Sequence, residues 1–215
     1  YLVPARPENV QPDRFTFQAP ELGYILGQRR ARRYRCRGVD AELVQSGFHA
    51  RGQLLDFSAL ALRVRVRPEE VGSFRWFNPE SPSQIHLYRD GCLVFSSSCR
   101  LVRQNAEQGL REMVLAPEIV HMNRFPKKKW RNPRIQVAPL PNVSFDHPMM
   151  NRPVQLDIRN LSTSGFAVQV SPDEDVLMVG MIFPDLVMNY AGTLKISCEA
   201  QVLYRRAEKK MSRYG

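Results

Sequence analysis

The chain has 215 residues, 43% of them hydrophobic, and it carries a net charge of +10. This length suits two domains of about 100 residues each, and the positive charge favours an anionic partner without identifying it. No apolar run approaches the roughly 20 residues that a membrane-spanning helix needs, so no membrane span is predicted. The four cysteines show neither a metal-site spacing nor a disulfide framework, which favours a reducing, cytoplasmic setting.

The first half of the chain predicts short strands separated by loops. Residues 1–14 are polar and contain three prolines, so an extended linker is predicted there. A loop at 28–37 is rich in arginine. Strands are predicted at 15–17, 34–39, 48–55, 60–67, 84–88 and 93–103. The strands on either side of Asp56 are expected to form one hairpin, and a turn at Arg89-Asp90-Gly91 is expected to join the last pair.

The second half follows the same pattern after a second basic loop at 124–134, whose two prolines disfavour a helix. The connection before this loop is predicted to include a strand at 113–116. Further strands are predicted at 135–138, 154–158, 165–170, 176–183 and 192–204. The basic tail at 205–214 is predicted to begin a helix. Many short strands with turn signals between them indicate a sandwich or a small barrel.

Segments of the two halves recur at an offset of about a hundred residues. Placing Asp56 on Asn160, an offset of 160 − 56 = 104, puts Ser58 on Ser162 and Ala61 on Gly165. The segment that begins at Arg33 returns in the same way at 134–137. The sequence therefore predicts a tandem duplication of one all-β unit. Each repeat places a basic loop before its first strand and an Asp/Asn-x-Ser motif about 25 residues later.

These residue types suit a site for an anionic purine nucleotide. The planar fork of arginine bonds two acceptors at once, such as phosphate oxygens or the O6 and N7 edge of guanine. It also stacks on flat rings. An Asp or Asn side chain can bond a base edge, Ser adds a hydroxyl, and Gly allows the ligand to approach the backbone closely.

Arg-x-x-x-Arg followed by Asp/Asn-x-Ser-x-x-Gly resembles the PilZ domain, a bacterial receptor module for cyclic di-GMP (c-di-GMP). The resemblance extends over nearly the whole chain, once per repeat. It implies an all-β protein of two tandem six-stranded antiparallel β-barrels with short helical turns, in a flagellar-brake-like arrangement. The expected boundaries are a linker or the end of a preceding segment at 1–22, the first barrel at 23–106, a linker with the basic loop at 107–134, and the second barrel with the basic tail at 135–215.

The resemblance also implies one ligand site in each repeat. The first would use Arg29, Arg30, Arg33, Asp56, Ser58 and Ala61. The second, weaker site would use Lys127, Arg131, Arg134, Asn160, Ser162 and Gly165. Neither set is complete. Ala61 adds a methyl group where the family has glycine. In the second repeat Trp130 stands four residues before Arg134, and in the alternative frame Lys127 cannot copy a bidentate arginine contact.

The leading hypothesis is a cytoplasmic c-di-GMP receptor that controls motility, biofilm formation or surface behaviour, chiefly through the first site and with a protein partner or flanking domain. The alternative is a degenerate tandem that binds no nucleotide and acts as an interaction scaffold. Nucleic-acid binding driven by the net charge ranks third. No enzyme, cofactor or metal is expected, because the four histidines are scattered and no nucleophile elbow or phosphate-cradling glycine loop is present.

Each of these features also has a purely structural interpretation. The loop at 28–37 could be a solvated basic loop, and the basic run at 127–131 an exposed linker. The Asp/Asn-x-Ser motifs could serve only to form hairpins. Three aromatic residues of the loop at 72–82 could either form a partner-binding patch or be buried under the barrel: Phe74, Trp76 and Phe77.

Overall fold

A computed structural model of the chain describes residues 6–11, 14–18, 31–69, 73–107, 109–118, 133–171, 174–208 and 211–215. The chain divides into two compact units, Tyr1–Arg30 and Ala31–Gly215. In the first, strands β1 (Arg6–Gln11) and β2 (Arg14–Gln18) pair as an antiparallel hairpin. The predicted strand at 15–17 is confirmed, and part of the predicted linker before it is a paired strand.

The second unit begins with a closed β-barrel. Its strands are β3 (Tyr34–Arg35), β4 (Asp40–Gln45), β5 (Phe48–Ser58), β6 (Ala61–Pro68), β7 (Ser83–Arg89), β8 (Cys92–Glu107) and β9 (Leu110–Pro117). Six strands pair in the order β5-β4-β7-β8-β9-β6, and β6 pairs again with β5 to close the barrel, while β3 adds to β5. Because β9 completes this ring, the barrel extends to Pro117, past the boundary at 106 that the sequence suggested.

Alternation along the strands builds the barrel core. On β6, Leu62, Val64 and Val66 are fully buried, whereas the arginines between and after them point outward. Gly52 on β5 lies so close to β6 that a Cβ atom there would clash with the carbonyl oxygen of Arg65. Close backbone approach therefore requires glycine at this position. A short 3₁₀-helix, Phe74–Trp76, follows β6.

The second half of the chain forms a sheet that does not close among the described residues. Its strands are β10 (Asn142–Asp146), β11 (Pro153–Ser162), β12 (Gly165–Val170), β13 (Ile182–Tyr190), β14 (Leu194–Gln201), β15 (Arg205–Glu208) and β16 (Met211–Tyr214). They pair in the order β14-β13-β10-β11-β12-β16-β15. The described strands therefore form one closed barrel and one open sheet, and a second closed barrel stays a prediction.

The second sheet is interrupted between β14 and β15, whereas the barrel has one long strand, β8, that pairs on both sides. In the barrel, β8 is continuous and pairs with β7 near its start and with β9 near its end. In the second sheet, β14 pairs with β13 and β15 pairs with β16, and residues 202–204 separate the two strands. The amides of this segment bond elsewhere, from Val202 to the Met181 carbonyl at 2.9 Å and from Leu203 to the Gly215 carbonyl at 2.7 Å.

Several predictions for the second half of the chain need correction. The tail at 205–214 forms the hairpin β15–β16 instead of the start of a helix, because β16 pairs with β12. The strand predicted at 135–138 is a single bridge between Ile135 and Leu161. The strand predicted at 176–183 begins only at Ile182 and continues to Tyr190. Strand β10 was not predicted, and β4 begins just after the predicted strand at 34–39.

The barrel and the second sheet share a buried contact. The Phe57 ring of β5 stacks on the His147 ring at 5.4 Å between ring centroids, with an interplanar angle of 24°. Arg89 donates from Nη1 to the Pro148 carbonyl at 2.9 Å, and Phe95 bridges to Met181. The two halves therefore pack together through residues of a common core. No helix in the described part of the chain is long and apolar enough to cross a membrane.

Candidate functional site

The two Asp/Asn-x-Ser motifs occupy equivalent places in the hairpins β5–β6 and β11–β12. The strand register shifts between Leu54 and Asp56 in the first hairpin and between Ile158 and Asn160 in the second. A bulge of this kind redirects the side chains beside it. Asp56 and Asn160 therefore lie in strands directly after a bulge, and the hairpin turns come later, at 59–60 and 163–164.

The motif serines shape these turns. Ser58 Oγ accepts hydrogen bonds from the amides of Ala61 at 3.2 Å and Leu60 at 3.4 Å. Ser162 Oγ donates to the Gly165 carbonyl at 3.1 Å and accepts from the Ser164 amide at 3.4 Å. Such local side-chain bonds to the backbone are typical of turn residues. The structural interpretation of the two serines is therefore supported by their bonds.

The structure brings an arginine to each motif. Arg33 Nη1 donates to Asp56 Oδ1, and Arg134 Nη1 donates to Asn160 Oδ1 at 2.7 Å. These are the two arginines that the alignment of the two repeats placed at equivalent positions. Four other predicted site residues lie outside the described part of the chain: Arg29, Arg30, Lys127 and Arg131.

The first motif lies in a network of ion pairs. Asp56, whose side chain is 8% exposed, accepts from Arg33 at one oxygen and from Arg63 at the other, with Arg63 Nε and Nη2 both 2.7 Å from Oδ2. Arg63 Nη1 also lies 3.5 Å from Glu112, and Arg65 Nη2 lies 2.5 Å from the same carboxylate. Both Asp56 oxygens are thus engaged by guanidinium groups.

The second motif has a different electrostatic environment. Asp56 pairs in register with Arg63, and Asn160 pairs with Ala167. On the neighbouring strands, Arg65 pairs with Glu112, whereas Gln169 pairs with Arg213. Around the second motif, alanine therefore stands at the register position of Arg63 and arginine at that of Glu112. At these register positions the second motif has neither an arginine like Arg63, which pairs with Asp56, nor an acid like Glu112, which pairs with Arg63.

A groove of about 670 Å³ adjoins Asn160. It is lined by Gln136, Val137, Ala138, Leu140, Arg159, Asn160, Gln169 and Arg213. None of these eight residues carries a carboxylate, and Arg134 adds a third guanidinium group through its bond to Asn160. Among the residues that the structure describes, the Asn160 Nδ2 donor has no hydrogen-bond acceptor.

Of the eight lining residues, only Asn160 was predicted as a site residue, and the seven that were missed include Arg159, Gln169 and Arg213. Arg159 occupies the bulge position next to Asn160, and a bulge was not predicted. Gln169 could have been found, since strand alternation places it two residues after Ala167 on the same face. Arg213 could not, because the segment around it was expected to be helical and its pairing with Gln169 is a tertiary feature.

The cysteines and the potential metal ligands are the remaining candidate groups. All four cysteines are free thiols: Cys36 and Cys99 are buried, Cys198 is half-buried and Cys92 is exposed. Burial raises the pKa of the Cys36 thiol to about 12. In the described ranges, no three or more His, Cys, Asp or Glu side chains are grouped as a metal site would need.

The three aromatic residues of the loop at 72–82 differ in burial, which separates the two interpretations of burial under the barrel and contact with a partner. Phe77 is buried and its ring centroid lies 5.5 Å from that of Phe48. Phe74 packs between Phe48 and the guanidinium group of Arg111, which lies 4.3 Å from the Phe74 ring centroid. Trp76 is 61% exposed. Of these three aromatic residues, Trp76 alone is therefore left to form a contact with a partner.

No protein-family model matches the chain, and no curated protein sequence matches it. Among solved structures, it is similar to Escherichia coli YcgR in complex with c-di-GMP, at 16% identity and a TM-score of 0.34, covering 82% of this chain and 74% of that one. It is also similar to the K. pneumonia MrkH–c-di-GMP complex, at 12% identity and a TM-score of 0.35 over 82% and 77% of the two chains.

A further similar structure is the Bacillus subtilis inhibitor of motility MotI/DgrA, at 12% identity and a TM-score of 0.32, covering 84% of this chain and 86% of that one. Identities and TM-scores as low as these do not establish the ligand of this chain. The chemistry of the site therefore has to come from the residues that line it.

Proposed function

We propose that this protein is a c-di-GMP receptor and that its main ligand site is the groove beside Arg134 and Asn160. The observation that supports this most is the charge of the groove. Arg159 and Arg213 line the groove together with Asn160, Arg134 bonds Asn160, and none of the described lining residues is a carboxylate; Ser162 and Gly165 are not among the lining residues. Three guanidinium groups in one groove favour an anionic ligand.

The remaining lining residues suit a purine dinucleotide. Guanidinium groups bind phosphate oxygens and the O6 and N7 edge of guanine in pairs of hydrogen bonds. Three side-chain amides, those of Gln136, Asn160 and Gln169, can donate to and accept from base edges. Val137, Ala138 and Leu140 offer an apolar wall for a ring. The groove volume is also within the usual range for small-molecule sites.

The basic loop before Arg134 is proposed to add further contacts to the ligand. Lys127 and Arg131 precede the groove residues in the sequence, and in the bound state we expect them to contact the ligand phosphates. The first motif, with Arg29, Arg30, Arg33, Asp56, Ser58 and Ala61, is proposed as the poorer site, because Asp56 is already engaged by Arg33 and Arg63. This ranking reverses the one that the motifs alone suggested.

The proposal extends to the setting and the output of the receptor. We propose a tandem of two PilZ-like units that acts in the cytoplasm, where free thiols are the rule. Ligand binding would alter contacts with a protein partner and so control motility or surface behaviour. The free energy that drives this change cannot exceed the difference between the ligand's binding free energies for the conformations before and after it. Exposed Trp76 is a candidate contact for that partner, and it would serve equally in a scaffold that binds no nucleotide.

Calorimetric titration with c-di-GMP tests the proposed site. The protein is compared with Arg134→Ala, Arg213→Ala and Arg33→Ala, and with Arg100→Ala, which removes the same charge from an exposed position of β8. We expect saturable binding of one equivalent. Each groove variant should weaken it at least about tenfold, since a charge-assisted hydrogen bond is lost. Arg100→Ala should bind like the unaltered protein.

Three other results would contradict the proposal. Loss of binding in Arg33→Ala alone would transfer the main site to the first motif. The absence of any heat or thermal stabilisation at high ligand concentration would leave the scaffold as the remaining function. Binding with a steep salt dependence and no preference for c-di-GMP over other polyanions would indicate nucleic-acid binding.

A further inference from the structure

Asp56 and Asn160 differ in what lies opposite them on the neighbouring strand. Arg63 of β6 pairs in register with Asp56, and Ala167 of β12 pairs in register with Asn160. Each of these residues comes two positions after the last residue of the motif, Ala61 or Gly165. The two positions are therefore structurally equivalent, and one carries a long cation where the other carries a methyl group.

We propose that Arg63 closes the first motif against ligand, that the buried Ala167 supplies no such cation at the second motif, and that this strand position determines which motif binds. The inference rests on the proposed function, because it names the residue that selects between the two candidate sites.

The contacts of Arg63 carry the inference. Arg63 Nε and Nη2 both lie 2.7 Å from Asp56 Oδ2, while Arg33 binds the other carboxylate oxygen. Asp56 Oδ2 is occupied twice by Arg63, so a ligand N–H group that needs this oxygen as its acceptor must displace Arg63. The Arg63 side chain is 38% exposed and that of Arg33 is 20% exposed, so Arg63 is the more accessible of the two.

A second carboxylate holds Arg63 in this position. Arg63 Nη1 lies 3.5 Å from Glu112 Oε2, and Glu112 also binds Arg65. The guanidinium group is thus fixed between two acids, Asp56 and Glu112, on adjacent strands. In the second repeat the register places Ala167 opposite Asn160, and Arg213 stands where the first repeat has Glu112. Those two positions therefore supply neither the covering cation nor its second anchor.

The test titrates c-di-GMP into the full chain carrying Arg63→Ala, with and without Arg134→Ala. The matched control is Arg65→Ala, which removes an arginine from the same face of β6 that binds Glu112 and not Asp56. A second variant, Arg63→Lys, retains the charge but cannot form the two-pronged contact. Thermal unfolding of each variant verifies that it is folded.

We expect Arg134→Ala to abolish binding and the double variant Arg63→Ala/Arg134→Ala to recover one equivalent at the first motif. The affinity of that motif should rise at least about tenfold relative to the single variant. Arg63→Lys in the same background should recover part of this gain, and Arg65→Ala none.

The inference and the proposed function fail in different ways. If Arg134→Ala abolishes binding and adding Arg63→Ala or Arg63→Lys restores none, the role of Arg63 is overturned and the groove site stands. If the unaltered protein does not bind but Arg63→Ala does, the groove site is overturned and the role of Arg63 stands. If neither binds, both are overturned.

Discussion

Asp56 and Asn160 hold the same position after a bulge, and the residues around them decide their chemistry. Asp56 is neutralised by Arg33 and Arg63. Asn160 receives one hydrogen bond from Arg134 and faces a groove that contains two further arginines. The site that looks weaker in the sequence can therefore have the more accessible surroundings in the structure.

Gly52 gives a prediction at the level of a single residue. A Cβ atom there would overlap the Arg65 carbonyl oxygen and the β6 backbone beside it, which cannot move without breaking the barrel. We expect Gly52→Ala to lower the free energy of unfolding by about 3 kcal/mol or more, measured by urea denaturation.

Gly47→Ala is the control for this substitution. Gly47 has a φ of +87°, but among the described residues no neighbouring atom lies within 4 Å of the place that an added methyl group would take. The cost should therefore be only the backbone strain of about 1 kcal/mol. Equal losses in the two variants would contradict the close approach of β5 and β6.

The motif residues could be predicted from the sequence, and their partners could not. Order and spacing along the chain were enough to match Arg33 with Arg134 and Asp56 with Asn160. The contacts of Asp56 with Arg63 and of Arg63 with Glu112 depend on the register of three strands. That register includes a bulge, which shifts the facing residues by one and leaves no clear signature in a single sequence.

At the level of elements, the two hairpins with strong alternation were predicted and the C-terminal hairpin was not. Strands β6 and β12 alternate apolar and polar residues, which marks a strand with one buried face. The tail shows little such alternation. It is held as a hairpin by pairing with β12 and by a buried carboxylate, Asp175, which binds Arg205, Ser212 and Tyr214.

Asp175 tests this account of the C-terminal hairpin. Its side chain is 3% exposed, and it accepts from Arg205 Nη2 at 2.7 Å and Ser212 Oγ at 3.1 Å, as well as from the Tyr214 hydroxyl. Burial, together with the hydrogen bond to Asp175, raises the pKa of Tyr214. Asp175→Ala would remove the carboxylate from the partly buried Arg205 cation and leave the buried Tyr214 hydroxyl with the Leu177 carbonyl, at 3.1 Å, as its only acceptor among the described residues. We expect a loss of about 2 to 3 kcal/mol in unfolding free energy.

The control is Asp185→Ala, which removes an exposed carboxylate of β13 and should change stability by no more than about 0.5 kcal/mol. Asp175→Asn, which keeps an acceptor, should be less harmful than Asp175→Ala. A loss in Asp175→Ala no larger than that of the control would show that the network does not stabilise the hairpin.

For the whole molecule, the sequence predicted the all-β class and missed the break in the second sheet. That break depends on backbone bonds from residues 202–204 to Met181 and Gly215, which no local pattern reveals. The junction between the barrel and the second sheet was also not predicted. It includes His147, which is fully buried, stacks on Phe57 and bonds the Val176 carbonyl through Nε2 at 2.9 Å.

The buried imidazole of His147 should make the free energy of unfolding depend on pH. Burial, chiefly, lowers the pKa of His147 to about 4, with a smaller effect from Arg152 and Arg89. In the unfolded chain its pKa is about 6.5, so the unfolded state binds a proton first as the pH falls. The stability that neutral His147 contributes is therefore present above about pH 6.5 and is lost progressively towards pH 4. We expect a loss of about 2 kcal/mol between pH 7 and pH 5.

Urea denaturation at the two pH values measures this loss. His147→Asn should remove most of the pH dependence, whereas His49→Asn, at an exposed position of β5, should retain it. A pH dependence that survives in His147→Asn would show that another group causes it.

The most direct test of the central claim is a crystal structure of the chain with one equivalent of c-di-GMP. The account predicts ligand density in the groove, in contact with Arg134, Asn160 and Arg213, while Arg63 remains on Asp56. Density at the first motif with Arg63 displaced, or no density in crystals grown with saturating ligand, would contradict it.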